Sequence, residues 1–71
     1  MSKTYKMIEV VGASPVSFAE AVKAAVAEAA KTIRSMSWFE VSGFSGRLAG
    51  GKVAEFQAKV KIGFELEGSG K

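Results

Sequence analysis

The sequence predicts an α+β subunit of order β-α-β-β, a three-stranded antiparallel sheet wrapped on one helix. Three observations predict it. From residue 52 onward the even positions are Ala54, Phe56, Ala58, Val60, Ile62, Phe64 and Leu66, while the odd ones from Glu55 are Glu55, Gln57, Lys59, Lys61, Gly63, Glu65 and Glu67. Such period-2 alternation marks a strand with one dry and one wet face. Upstream, Phe18, Ala21, Val22, Ala25, Val26, Ala29, Ile33 and Met36 recur at helical spacing and form one apolar stripe. Between two strand-like stretches stands Gly50-Gly51, a pair suited to a tight hairpin turn.

Taken in order, residues 3–11 carry Tyr, Ile, Val and Thr and read as the first strand. Ile8 and Val10 share one face of it; Tyr5, Met7, Glu9 and Val11 share the other. Gly12-Ala13-Ser14-Pro15 is expected to end the strand. The helix begins either at Ser14 with Pro15 in the first helical position, or at the capping-box pattern Ser17-Phe18-Ala19-Glu20. Seven alanines between Ala19 and Ala30 favour helix and permit close approach to a sheet. The stripe carries the expected end to residues 34–37, giving a helix of about twenty residues, roughly 30 Å long, with Arg34 complementing the dipole in its last turn. The second strand follows, with Gly43 or Gly46 marking a bulge. The third strand, at about 14 residues, exceeds the usual five or six. Its length carries Phe64 and Leu66 past the helix, where only a neighbouring chain covers them. Gly68-Ser69-Gly70-Lys71 reads as a flexible tail to a single domain spanning 1–71.

A chain of 71 residues buries only about 60% of its unfolded surface, so a lone core is marginal. With no Cys to staple it and no His to join a zinc site, oligomerisation is the remaining remedy. The expected setting is the cytoplasm, since the opening MSKTYKMIEV lacks a signal-peptide core and no apolar run spans a bilayer. Net charge is +3, with ten basic residues scattered rather than clustered. A mild positive field suits anionic small molecules as well as nucleic acid.

Catalysis has little to draw on. Absent Cys, His and Asp, the Ser-His-Asp, Cys-His and most metal-ligand arrangements are excluded. The glutamates show no calcium-loop or di-metal spacing, and Gly50-Gly51-Lys52 lacks the spacing of a phosphate loop. An enzyme is not expected. Binding is better provided for. Phe39 and Val41 belong to the apolar set, which places Trp38, the only tryptophan, on the wet face with Gln57. An exposed indole stacks on flat rings, worth about 0.5–1.5 kcal/mol beyond area burial. Gln57 offers one acceptor and two donors to a pyrimidine-like edge. The competing reading has Trp38 filling an oligomer interface, where tryptophan is common. An unbulged hairpin sets Gln57 opposite Phe44, with Trp38 six residues further along, about 20 Å away. Either a bulge and sheet curvature close that gap, or the site joins residues of different subunits.

The opening TYKMIEVVGASP, the Ala-rich helix leading to KTIRSMSWFEV, and the closing KVAEFQAKVKIGFELE resemble the dodecin family of small flavin-binding proteins over nearly the whole chain. The resemblance implies a hollow homododecamer holding flavins, FMN or riboflavin, in stacked pairs between tryptophans of symmetry-related subunits. Carried over, Trp38 is the stacking residue and Gln57 the reader of the ring edge. Many bacterial relatives have Arg-Gly where this chain has Ser45-Gly46, and that arginine is associated with flavin contact; Arg47, two residues on, returns to the same face of a strand and is its candidate substitute. Glu65 stands where several bacterial members carry Arg, beside a site said to hold coenzyme A. Lys3, Lys6 and Arg34 are the phosphate partners that remain for such a ligand.

The leading expectation is thus flavin storage or sequestration with photoprotection, since a buried flavin beside an indole is shielded and its excited state quenched. A nucleic-acid-binding module is the first alternative, but one Trp among interspersed glutamates is a poor stacking groove. A purely structural shell subunit is the second. Neither nucleic acid nor a membrane is expected as a partner.

Overall fold

The computed structural model describes residues 2–66, and the element order is β1 (Tyr5–Ser14), α1 (Phe18–Ala29), β2 (Met36–Ala49) and β3 (Lys52–Glu65). The expected tail at 68–71 lies outside the described residues. All three strands form one antiparallel sheet in the order β1-β3-β2. The alternating strand is therefore the central one, paired on both edges.

Its dry face carries the core. Ala58, Val60 and Ile62 are buried against Ala21, Ala25 and Ala29 of α1, with Ile8, Val10, Val22, Val26, Ile33 and Met36 packed around them. Four of those six buried residues are alanine, which lets the helix backbone lie almost on the sheet. The closest approach is at Gly12, opposite Ala58: a Cβ there would collide with the Ala21 carbonyl oxygen and sit 2.8 Å from the Ala25 Cβ. Gly12 thus does not end β1, as its sequence context suggested. The strand continues to Ser14, whose buried hydroxyl accepts a hydrogen bond from the Val16 amide at 3.0 Å.

The helix starts at the later of the two expected points. Ser17 caps it, its side chain accepting from the Glu20 amide at 3.1 Å. The expected end is corrected: α1 has 12 residues, stops at Ala29 and has no basic residue in its last turn. The Lys31 and Thr32 amides donate to the carbonyls of Glu28 and Ala29, three residues back, so the spiral tightens into a 3₁₀-type turn. Ser35, at φ 60°, then reverses the chain into β2. Ile33 and Met36 still reach the core, through a turn and a strand end rather than through helix. Their helical spacing overstated the helix for that reason.

Gly50 and Gly51, at φ 58° and 77°, make the tight turn between β2 and β3, both central residues lying in the left-handed region that primed hairpin turns require. Three register shifts interrupt the β2–β3 ladder, at Met36/Trp38, Val41/Gly43 and Arg47/Leu48. One adjoins Gly43, as expected. The shift at Arg47/Leu48 skips Ala54, so Gln57 faces Ser45 and not Phe44. The shift at Val41/Gly43 leaves Ser42 over, its hydroxyl donating to Glu9 Oε2 (3.0 Å) and to the Lys59 carbonyl (3.3 Å). It also lets Phe39, Val41 and Phe44 all share the helix side: Phe44 meets Phe18 edge-on at 4.8 Å.

The hairpin outruns the helix. At 1.5 Å per residue α1 is about 18 Å long, whereas the chain measures 55 Å along its longest axis. Beyond α1, Leu48 (70%) and Val53 (56%) stand exposed.

Candidate functional site

The sheet face turned away from α1 carries the candidate residues, as the strand parity expects. Trp38 stands opposite Gly63 and Gln57 opposite Ser45, so both belong to the face of the odd-numbered residues of β3. The register shifts do not bring them together. Six residues of β3 separate Gly63, the partner of Trp38, from Gln57, about 20 Å at 3.4 Å per residue, and each of the two anchors its own cluster.

Trp38 is held on three sides. A Cβ built on Gly63 would lie 2.5 Å from Cζ3 and 2.6 Å from Cζ2 of the indole, and closer still to Cη2. Near-equal distances to three consecutive ring atoms put that point over the ring face, not beyond its edge. The benzo ring therefore lies flat on the backbone of β3. Tyr5 braces it edge-on, centroids 5.0 Å apart and planes at 82°. Its Nε1–H donates to Glu40 Oε2 at 3.3 Å. Trp38 as a whole remains 38% exposed. A planar group can stack on an indole so fixed without first ordering it.

At the hairpin end the structure brings Ser45, Arg47 and Gln57 together. Ser45 Oγ donates to Gln57 Oε1 at 3.1 Å, and Gln57 Nε2 donates to Glu55 Oε1 at 2.9 Å. Arg47 Nε lies 3.9 Å from that same Glu55 oxygen. Arg47 and Ser45 do share a face, opposite Glu55 and Gln57. Lys3, Lys6 and Arg34 are all exposed and lie near the Trp38 end, where Lys6 and Met36 both pair with Phe64. Among the described residues the ion pairs are Lys23–Glu20, Lys31–Glu28 and Arg47–Glu55, which engage none of those three cations.

Four residues of the two clusters escaped the sequence reading. Glu40 and Glu55 share a strand face with Trp38 and Gln57, two residues away, but only the side-chain contacts give them a role. Tyr5 became visible only once the sheet order was known. Gly63 did leave a signal: a lone glycine inside a strand often marks close approach of another group. Among the described residues no helix is long and apolar enough to cross a membrane.

The chain is similar to known proteins over nearly its full length. A family model described as Dodecin matches residues 4–67. The curated Dodecin of Thermus thermophilus is 42% identical over 67 residues, covering 94% of this chain and 97% of the relative. The solved structure of dodecin from Streptomyces coelicolor superposes with a TM-score of 0.89 at 45% identity, over 94% of this chain and 96% of that one. An arginine-to-alanine variant of the T. thermophilus dodecin gives 0.87 at 41% identity, over 93% and 98%.

Proposed function

The chain belongs to the dodecin family, and on that premise we propose that it binds flavin, FMN or riboflavin, as a cytoplasmic homododecamer without turnover. Flavins stack in pairs between the Trp38 rings of neighbouring subunits, and Gln57 reads the ring edge. The role is storage and sequestration, with the indole quenching the excited flavin and so limiting its photochemistry.

The observation that carries this reading is the posture of Trp38. One face of its ring rests on Gly63, Tyr5 packs perpendicular to it and its N–H is bound by Glu40. A tryptophan merely filling an interface needs none of this alignment; a stacking platform does. Two further facts favour assembly. The six-residue separation of Trp38 from Gln57 requires a second subunit for both to touch one ring. Exposed Leu48 and Val53 on the projecting hairpin also need a cover that α1 is too short to give. Arg47 supplies positive charge beside Gln57 in place of the family arginine. Lys3, Lys6 and Arg34 at the Trp38 end are the groups we assign to a phosphate-bearing second ligand of the coenzyme A type.

Titration of the apo-protein into free FMN, and separately into riboflavin, tests the proposal by flavin fluorescence. Strong quenching that saturates near one flavin per chain is expected. Unchanged fluorescence with both flavins would remove the function and favour a structural shell subunit.

A further inference from the structure

Gln57 is not a free amide. Its nitrogen donates to Glu55 Oε1 at 2.9 Å and its oxygen accepts from Ser45 Oγ at 3.1 Å. These two contacts differ in what they demand. A serine hydroxyl rotates to donate or accept, so Ser45 satisfies either end of an amide. A carboxylate only accepts. Turning the Gln57 amide over would set its oxygen against Glu55 Oε1, two acceptors at hydrogen-bond distance with no proton between them. Glu55 therefore selects one of the two amide orientations, and Ser45 follows it.

The carboxylate is itself kept in place. Its side chain is only 30% exposed, and Arg47 Nε stands 3.9 Å from the oxygen that Gln57 uses. A hydrogen bond to a charged acceptor is also roughly twice as strong as a neutral one. After these contacts the Gln57 amide retains one N–H and one oxygen lone pair. Such a remainder closes two hydrogen bonds only on a ligand edge that sets a carbonyl beside an N–H, as an imide does. A ring whose imide nitrogen is alkylated offers no donor to the lone pair and puts a methyl group against it.

We infer that Glu55 is a positioning residue that sets ligand specificity: by fixing the Gln57 amide, it makes the site select planar rings with an unsubstituted imide edge. This rests on the flavin reading above, in which Gln57 meets the ring edge, and it adds the residue that decides which edges are accepted. A serine at position 45 fits the scheme, because a rotatable hydroxyl leaves the choice of orientation to Glu55 alone.

The test compares riboflavin with N3-methylriboflavin in quenching titrations of the full-length chain, with assembly followed by size-exclusion chromatography. Wild type is expected to favour riboflavin by on the order of tenfold, the scale of one unmatched buried polar contact. Gln57→Ala levels the two affinities. Glu55→Ala shrinks the ratio to about threefold or less, without loss of assembly or of quenching amplitude, because the freed amide turns to suit either ring. Glu55→Gln gives an intermediate ratio, since a neutral amide accepts through one end and donates through the other. A Glu55→Ala variant with the wild-type ratio, beside a levelled Gln57→Ala, would overturn the positioning role and leave edge reading by Gln57 intact. Equal weakening of both ligands in Glu55→Ala would also overturn it, pointing to a purely structural carboxylate. If Gln57→Ala itself keeps the wild-type ratio, edge reading fails and the inference falls with it.

Discussion

The benzo ring of Trp38 lies face-on against the backbone of Gly63 on the neighbouring strand, where any Cβ would stand within 2.6 Å of ring atoms. The tryptophan's position is set by an absent side chain. Had β3 carried an alanine there, the ring would have to tilt up and loosen its perpendicular contact with Tyr5.

Gly63→Ala is thus expected to disable the platform and spare the fold. Gly63 is buried and does not hold a positive φ, so its backbone accepts alanine; the conflict is with the indole alone. A displaced stacking partner costs about 0.5–1.5 kcal/mol, or up to about tenfold in flavin affinity. Riboflavin titration beside far-UV circular dichroism measures both sides, and unchanged affinity would mean that the ring is not used in the posture described.

Tyr5→Leu removes the edge contact to Trp38, 5.0 Å between centroids, while keeping apolar bulk. Affinity for riboflavin is expected to fall about threefold to tenfold, and the Trp38 fluorescence anisotropy to drop as the indole gains freedom. If anisotropy stays at the wild-type value, Gly63 and Glu40 suffice to hold the ring.

Arg47 reaches the Gln57 cluster through its contact with Glu55, and its side chain is 60% exposed. Exposed charge pairs contribute about 0.2–1 kcal/mol and weaken with salt. Arg47→Ala should therefore lower affinity for FMN by about twofold to fivefold more than for riboflavin at low ionic strength, any loss common to both reporting its contact with Glu55. Equal loss for both flavins would show that Arg47 acts through Glu55 and not on the phosphate.

The legible parts of this molecule were those governed by local pattern. The alternation in β3, the Gly50-Gly51 turn and the Ser17 cap each follow from a short stretch of chain, and each stands where its residues place it. The helix end did not, because Ile33 and Met36 reach the core without helical backbone, and periodicity reports only which side a residue faces. Partners across the sheet were the least legible. Gln57 faces Ser45 because one residue, Ala54, is skipped in the ladder, and nothing within the strand advertises that skip. Trp38 and Gln57 were found through their chemistry. Glu55 stands beside Gln57 by strand parity alone, two residues away, but its role needs the side-chain contact, whereas Tyr5 meets Trp38 only through the sheet order.

Gly12→Ala probes the packing that holds helix to sheet. Gly12 sits at the crossing of α1 over β1, and its missing side chain lets the Ala21 carbonyl come within contact of the strand. Alanine at this position is acceptable to the extended backbone, so the cost arises only between elements. The helix must lift, and the contacts of Ala21 and Ala25 with Ala58 and Val60 loosen together. Overpacking of this kind costs about 1–3 kcal/mol, which should appear as a lower denaturation midpoint at fixed protein concentration, a condition that matters because assembly adds its own stabilisation. The nearest atom is a backbone oxygen, with the Ala25 Cβ second at 2.8 Å. Trimming that methyl with Ala25→Gly should therefore fail to rescue the variant and should itself cost about 1 kcal/mol in helix propensity. A Gly12→Ala protein as stable as wild type would show that the helix yields freely, and rescue by Ala25→Gly would place the conflict at the methyl instead of the carbonyl.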